Sequence, residues 1–250
     1  MYPPNVGSED CNTGDPIKRS ERACVAVANV TSIVNLTMHG IGTPIRELDP
    51  DEGDVWVTVD QFEEVLDAVV SRPQVRITFD DGNASDLEIA LPHLMKRGLT
   101  AQFFVAVGLL GQPGRLDRDG VRELVRAGMP IGSHGSAHCD WRRLAPGQER
   151  KELVEAPQML EELTGSPVSE VSIPFGSYDR HVLRRLRAAG VSRAYTSDGG
   201  RARPDSWLQA RTSLRSTVDS ARIREILDGV PSVPRRARQV AARTVKRLRG

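Results

Sequence analysis

The sequence predicts an α/β fold, an incomplete barrel of seven strand–helix units in a single domain. Short runs rich in β-branched and apolar residues alternate with segments whose apolar residues recur every three or four positions. Glycines close most of these helical segments, as expected at helix ends. Seven strands, one fewer than a full barrel requires, are expected at 33–38, 75–79, 101–107, 129–133, 168–173, 192–196 and 207–212.

The helical segments each present one apolar face. Their marker residues are Phe62, Val65, Leu66 and Val69; Leu87, Leu91 and Leu94; Val121, Leu124 and Val125; Leu153, Leu160 and Leu163; Val182, Leu183 and Leu186; and Ile223, Ile226 and Leu227. We expect residues 1–30 to be a disordered leader, 31–232 to form the folded domain, and 233–250 to be a basic C-terminal tail.

The net charge of +1 conceals an uneven distribution of charge. Residues 235–250 carry seven basic and no acidic residues, and removing those seven charges from +1 leaves the first 234 residues at −6. An acidic body with 4% aromatic residues excludes a nucleic-acid-binding surface. The tail is expected to be a solvated helix, with weak attraction to an anionic membrane surface as the alternative.

Cysteine usage favours a reducing compartment. Cys11, Cys24 and Cys139 are odd in number and show no C-x-x-C spacing, unlike a disulfide framework. The first 18 residues lack the apolar core of a signal peptide, and no run approaches 18 apolar residues. These observations predict a cytoplasmic protein without a transmembrane segment.

The strongest chemical signal is the run Thr78-Phe79-Asp80-Asp81-Gly82 together with the later pair His134 and His138. The strand 75–79 ends at two adjacent carboxylates, and Gly82 permits a sharp turn that exposes them. One carboxylate with two histidines is a common ligand set for a catalytic divalent metal. Zinc is the expected ion, and cobalt, nickel or manganese also suit these ligands.

These motifs, T-F-D-D-G and H-x-x-x-H, resemble those of the polysaccharide deacetylases of carbohydrate esterase family 4, the NodB-homology group. The resemblance runs from about His39 to about Thr212. It implies a distorted (β/α)7 barrel and metal-dependent removal of acetyl groups from sugars. It also implies that Asp80 is the general base and that Asp81, His134 and His138 bind the metal.

His39 occupies the place of the family's late catalytic histidine, moved to the N-terminal side. The segment Ile33–His39 has the form of an apolar strand ending in histidine, and no histidine lies beyond His181. In this respect the sequence resembles a subgroup of the family in which the order of the motifs is circularly permuted. We therefore expect His39 to be the general acid, and His93 and His181 to be structural or surface residues.

The third family motif, R-x-P-[YF], matches Ser172-Ile173-Pro174-Phe175 except that serine replaces arginine. In the family that arginine orients the catalytic aspartate, so another group must do so here, and Arg211 is one candidate. The resemblance assigns Pro174 and Phe175 to the substrate and oxyanion region, with the Phe175 N–H as the oxyanion donor.

The segment around Asp198 stands where the family has a later aspartate motif, although it matches that motif poorly. Asp198 is expected to line the acetyl pocket and to pair with Arg211 or His39. Trp141 and Trp207 are candidates for pocket walls, with a place in the core as the commoner alternative. Cys139 is expected to be a half-buried bystander beside His138.

Most of the candidates follow predicted strands at their carboxyl ends, the face on which parallel α/β barrels build active sites. These are His39, Asp80, Asp81, His134, Pro174, Phe175 and Asp198. We therefore expect a metal-dependent hydrolase that removes N-acetyl groups from a glycan, an oligosaccharide or a lipid-linked precursor. The alternatives are an O-acetyl esterase, a non-sugar amide hydrolase of the same fold, or a catalytically weak glycan-binding protein.

Overall fold

A computed structural model describes residues 31–229 together with 237, 240, 241, 244–246 and 248. The expected leader at 1–30 lies outside the described residues, and so does most of the basic tail. The parts of the tail that are described are helical.

A parallel sheet forms the centre of the molecule. The strands of the protein are β1 Ile33–Met38, β2 Gly40–Ile41, β3 Trp56–Val57, β4 Val75–Phe79, β5 Ala101–Val105, β6 Ile131–Ser133, β7 Glu170–Ser172, β8 Arg193–Thr196, β9 Arg201–Ala202, β10 Leu208–Ala210 and β11 Thr212–Ser213. The order in the central sheet is β10-β8-β7-β6-β5-β4-β1-β11, and one short strand, β9, pairs antiparallel with β1. A separate two-stranded sheet joins β2 and β3.

The barrel closes at Arg211. The sequence predicts one strand over 207–212, but the structure divides it into β10, which pairs with β8, and β11, which pairs with β1. Arg211 lies between the two, so this short segment connects β8 at one edge of the sheet with β1 at the other. The Asn35 side chain on β1 donates to the Gln209 side chain at 3.1 Å and to the carbonyl of Ala210 at 3.0 Å, which fastens the seam.

Helices cover the outside of the sheet at the positions that the apolar spacing predicts. The helix α1 begins with a capping box between Thr58 and Gln61. Short π-helical turns at Asp86–Ala90 and Lys151–Glu155 lead into α2 and α5. The helices are α1 Val59–Val69, α2 Leu91–Lys96, α3 Arg118–Arg126, α4 Gln148–Arg150, α5 Ala156–Thr164, α6 Arg180–Ala188 and α7 Ser220–Asp228.

The apolar core fills the space between the strands and this helical layer. Phe79 and Phe103 stack at the centre, with ring centroids 4.7 Å apart, and Phe62 of α1 meets Phe79 edge-on. No described helix is long and apolar enough to span a membrane.

The incomplete barrel predicted from the alternating pattern is confirmed by the parallel order of the central sheet and the helices outside it.

Candidate active site

One cavity of about 660 Å³ opens at the carboxyl ends of the strands. The residues with predicted catalytic or metal-binding roles all line it: His39, Asp80, Asp81, His134 and His138. Phe175 and Asp198 also line it. The structure thus brings these seven predicted site residues together, whereas Pro174 and Arg211 are buried away from the cavity wall.

Backbone strain is concentrated around this cavity. Among the described residues, four that are not glycine have positive φ: Asp51 at 66°, Asp81 at 78°, His138 at 48° and Phe175 at 58°. All four line the cavity. Such conformations cost free energy and persist where the surrounding structure enforces them, which is common at functional sites.

Asp81, His134 and His138 form a compact group of donor atoms. The Oδ1 atom of Asp81 lies 3.3 Å from the Nε2 atoms of both histidines, and the three donor atoms lie within 4.8 Å of one another. Asp81 and His134 are buried, and His138 is partly exposed. This leaves one side of the group open towards the cavity, as a catalytic metal site requires.

The residues fit the divalent ion that the family implies. The Nδ1 atom of His134 lies 2.8 Å from the carbonyl oxygen of Ser172. That contact places the proton on Nδ1 and leaves Nε2 free as a metal donor. The Oδ1 atom of Asp81 is buried and has no hydrogen-bond partner among the described residues, so an ion would satisfy an otherwise orphaned atom.

The charges of the group oppose the effect of burial. Burial by itself favours the neutral form of Asp81, but the adjacent His134 and His138 outweigh it and hold the pKa of Asp81 below its usual value. Burial also disfavours charged His134, yet Asp80 and Asp81 raise the pKa of that histidine. Protons therefore compete with a metal ion for the His134 donor.

Asp80 is held by a buried arginine from the seam of the barrel. Arg211 Nη1 donates to Asp80 Oδ1 at 2.7 Å, and Arg211 Nη2 donates to Oδ2 at 2.6 Å. The guanidinium lies over the adjoining rings of Phe104 and Tyr195, 5.3 and 5.7 Å from their centroids. Burial favours neutral Asp80, but the charge of Arg211 prevails and lowers the pKa of the carboxyl. Asp80 is therefore ionised at neutral pH.

Ser172 completes this contact in place of the arginine expected from the third motif. Its hydroxyl accepts from Arg211 Nη2 at 2.6 Å and donates to Asp80 Oδ2 at 3.0 Å. The guanidinium reaches Asp80 from β10–β11 rather than from β7, and the serine bridges the space between them. Since Arg211 is fully buried, it contacts the Asp80 carboxylate and does not line the cavity.

Asp198 makes neither of the pairings expected for it. Its Oδ2 atom accepts from the hydroxyls of Tyr178 at 2.7 Å and Thr196 at 2.9 Å, and its Oδ1 atom accepts from Lys246 at 2.8 Å. The pairing with Arg211 was wrong because Asp80 occupies both ends of that guanidinium. Asp198 does line the cavity, as expected.

Glu152 is a residue that the motifs did not reveal. It is buried, and its carboxylate accepts from the backbone N–H groups of Ser136 at 2.8 Å and Ala137 at 3.0 Å, in the loop between the two histidines. A side chain on Gly135 would meet Glu152 at 2.3 Å, so only glycine permits this approach. The available signal was an acidic residue in line with the apolar face of Ala156, Leu160 and Leu163.

Asn83 links the two ends of the site. Its side chain donates to the carbonyl of His39 at 3.2 Å and accepts from Arg46 at 3.1 Å and Arg115 at 2.9 Å. The strand end that carries His39 is thereby fixed to the turn that follows Asp80 and Asp81. The Nδ1 atom of His39 is buried without a partner among the described residues.

Neither tryptophan proposed as a pocket wall lines the cavity. Trp141 is buried in the core beside Glu152, and Trp207 borders a separate groove, where Arg187 covers its ring at 4.3 Å. Cys139 is a half-buried free thiol, and burial raises its pKa to about 11. His93 pairs with Glu63, and His181 contacts Arg184, both away from the cavity.

Comparison with known proteins agrees with the motifs. A family model described as polysaccharide deacetylase matches residues 67–194. The chain belongs to the polysaccharide deacetylase family. The YxkH protein of Bacillus subtilis (strain 168) is 26% identical over 170 residues, which cover 68% of this chain and 58% of YxkH. A peptidoglycan-N-acetylglucosamine deacetylase of Bacillus cereus is 24% identical over 144 residues, 55% of this chain and 50% of that protein.

The chain thus spans little more than half the length of these two polysaccharide deacetylase relatives. Solved structures share the fold. The Streptococcus pyogenes deacetylase PplD, in complex with acetate, has a TM-score of 0.70 at 18% identity and covers 79% of this chain and 98% of its own. A polysaccharide deacetylase from Bacillus cereus has a TM-score of 0.67 at 20% identity, covering 76% and 67%.

Proposed function

We propose that this protein is a metal-dependent deacetylase that removes N-acetyl groups from an N-acetylated sugar in a glycan, an oligosaccharide or a lipid-linked precursor. One observation carries the proposal. The metal-ligand group of Asp81, His134 and His138 stands directly beside Asp80, a carboxylate that Arg211 keeps ionised. A binding protein needs no such base, and this pairing favours hydrolysis over glycan binding alone.

Asp80 is the proposed base that accepts a proton from the attacking water. A carboxylate offers about four acceptor positions, and the described residues fill one on Oδ1 and two on Oδ2. An acceptor position on Oδ1 is therefore left for water. The ion pair holds the carboxylate in one orientation, and its lowered pKa keeps it deprotonated at neutral pH before it accepts the proton.

The remaining roles fall to residues on the same cavity. Asp81, His134 and His138 would hold a divalent ion, with zinc as the proposed species, and that ion would supply Lewis-acid polarisation and lower the pKa of water. We assign the Phe175 N–H to the developing oxyanion and His39 to protonation of the leaving amine. Both residues line the cavity with Asp80.

We also propose a reducing, cytoplasmic setting. The odd number of cysteines supports it, and Cys139 carries a free thiol. A cytoplasmic enzyme of this kind would meet soluble or lipid-linked precursors rather than finished cell-wall polymer. Thiol titration of the protein from its own host tests this point, and a bridge between Cys11 and Cys24 would contradict it.

The function is tested by acetate release from three substrates: N-acetylglucosamine oligomers, peptidoglycan fragments and O-acetylated xylan. We expect release from an N-acetylated sugar, its loss after treatment with a chelator, and its recovery with zinc or cobalt. Release from the xylan alone would identify an O-acetyl esterase. Sugar binding without acetate release from any substrate would identify a glycan-binding protein and overturn the proposal.

A further inference from the structure

The described part of the basic tail, residues 233–250, contacts the active-site loops through Lys246, the single lysine of the tail. Lys246 Nζ donates to Asp198 Oδ1 at 2.8 Å and to the carbonyl oxygen of Gly176 at 3.0 Å, and it lies 5.1 Å from the centroid of the Tyr178 ring. Its side chain is 37% exposed, whereas that of Asp198 is 5% exposed. The contact therefore combines one surface residue with a buried carboxylate.

Lys246 joins the two loops that bear the cavity residues Phe175 and Asp198. The first loop follows β7 and contains the turn Pro174–Gly176; the second follows β8 and contains 197–199. Among the described residues of the tail, Lys246 is the one that hydrogen-bonds to these two loops.

Both loops depend on outside support. Phe175 has a φ of 58°, a conformation that costs free energy in a residue other than glycine and persists where the surroundings enforce it. Gly176 follows with a φ of 57°, which glycine adopts readily. The hydroxyls of Tyr178 and Thr196 both donate to the Oδ2 atom of Asp198. Lys246 supplies the partner of Oδ1, and a buried carboxylate oxygen without a partner is costly.

We propose that Lys246 is a positioning residue of the active site, and that its contacts fix the Phe175 turn and the Asp198 side chain. The effect on catalysis rests on the proposed deacetylase function, whereas the structural contact does not. The described helical segment that carries Lys246 is then part of the catalytic unit.

The test uses the full chain with Lys246→Met, Lys246→Arg and the control Lys96→Met, which removes an exposed lysine on α2. We expect Lys246→Met to lower kcat at least about tenfold with little change in Tm, since the lost contact is local. Lys246→Arg should recover most of the loss, because arginine retains the charge and the donors. Asp198→Asn combined with Lys246→Met should lower kcat no further than the more damaging single change, because both disrupt one contact.

A second readout needs no activity. Amide hydrogen exchange in 175–178 and 197–199 should be faster in Lys246→Met than in the native chain and unchanged in Lys96→Met. Equal exchange in the native chain and Lys246→Met would overturn the proposal, as would kcat within twofold of native. If the native protein releases no acetate, the deacetylase assignment fails while faster exchange still supports the Lys246 contact.

Discussion

Arg211 and Asp80 form a buried two-point ion pair between residues 131 positions apart in the chain. Each partner removes the other's main electrostatic cost, since an unpaired charge at this depth costs several kcal/mol. The pair also fixes the plane of the carboxylate, because guanidinium and carboxylate meet through two parallel hydrogen bonds. The family's motif places the arginine at the position of Ser172, and here an arginine between β10 and β11 makes the contact.

The first prediction concerns the two-point contact between Arg211 and Asp80. Arg211→Lys keeps the charge but cannot make two parallel bonds, so Asp80 should lose its fixed orientation. We expect kcat to fall about 10²-fold, the cost typical of a misplaced catalytic group, with KM little changed. Acetate release measures the effect, and circular dichroism confirms that the fold is retained.

A position swap provides the matched control for that variant. Arg211→Ser alone leaves Asp80 without its partner, and adding Ser172→Arg returns a guanidinium from β7. The double variant should be at least tenfold more active than Arg211→Ser. Native activity in Arg211→Lys, or no recovery in the swap, would show that orientation of Asp80 does not limit the reaction.

The second prediction separates ligand from base in the adjacent carboxylates. Asp81→Ala and His134→Ala should lose both metal and activity, because each removes one of three donors. Asp80→Asn should keep the metal and lose turnover, with a lower Tm because it leaves Arg211 unpaired. Metal content after gel filtration and acetate release are the measurements. A metal-free Asp80→Asn protein together with a loaded Asp81→Asn protein would reverse the two roles.

The third prediction is that His39 protonates the leaving amine. His39→Ala should lower kcat by about 10²–10⁴-fold on an N-acetyl sugar, the usual cost of losing a general acid. Metal content should be unchanged, since His39 is not one of the grouped donors. On an aryl acetate the loss should be much smaller, because phenolate departs without protonation. Equal losses on both substrates would point to a structural role for His39.

The fourth prediction concerns the dependence of stability on pH. Asp86 is fully buried, and neither carboxylate oxygen has a partner among the described residues. Burial, reinforced by the charge of Asp81, raises the pKa of Asp86 well above its ordinary value. The native state therefore keeps a proton that the unfolded chain releases above about pH 4, and stability decreases as pH rises above that value.

Asp86→Asn removes this titration and should raise the Tm at pH 7.5. One pKa unit of relief corresponds to about 1.36 kcal/mol, which is about 3 °C or more for a chain of this size. The gain should shrink towards zero near pH 4, where both side chains are neutral. Calorimetry of chelator-treated protein makes the comparison, and a gain that is the same at both pH values would contradict the prediction.

The sequence by itself was sufficient for the fold class and for most of the candidate site. Strand and helix periodicity is local, so the pattern correctly placed the strands that end at Asp80 and His134. The motifs T-F-D-D-G and H-x-x-x-H are contiguous, and their residues meet because the carboxyl ends of parallel strands share one face of the barrel. The convergence of His39 and Asp81 on one cavity followed from the same rule.

Only the tertiary structure decided which partners those residues have. The sequence named Arg211 as one candidate for orienting Asp80, and the structure shows that Arg211 makes this contact. The contacts of Glu152 and Lys246, and the division of 207–212 at Arg211, had no such signal. Local propensity carries no information on such pairs, since a buried charge is satisfied by whichever opposite group the closed barrel brings within reach. The chain therefore specifies its reactive groups through short motifs, while the closure of the barrel determines how those groups are held and charged.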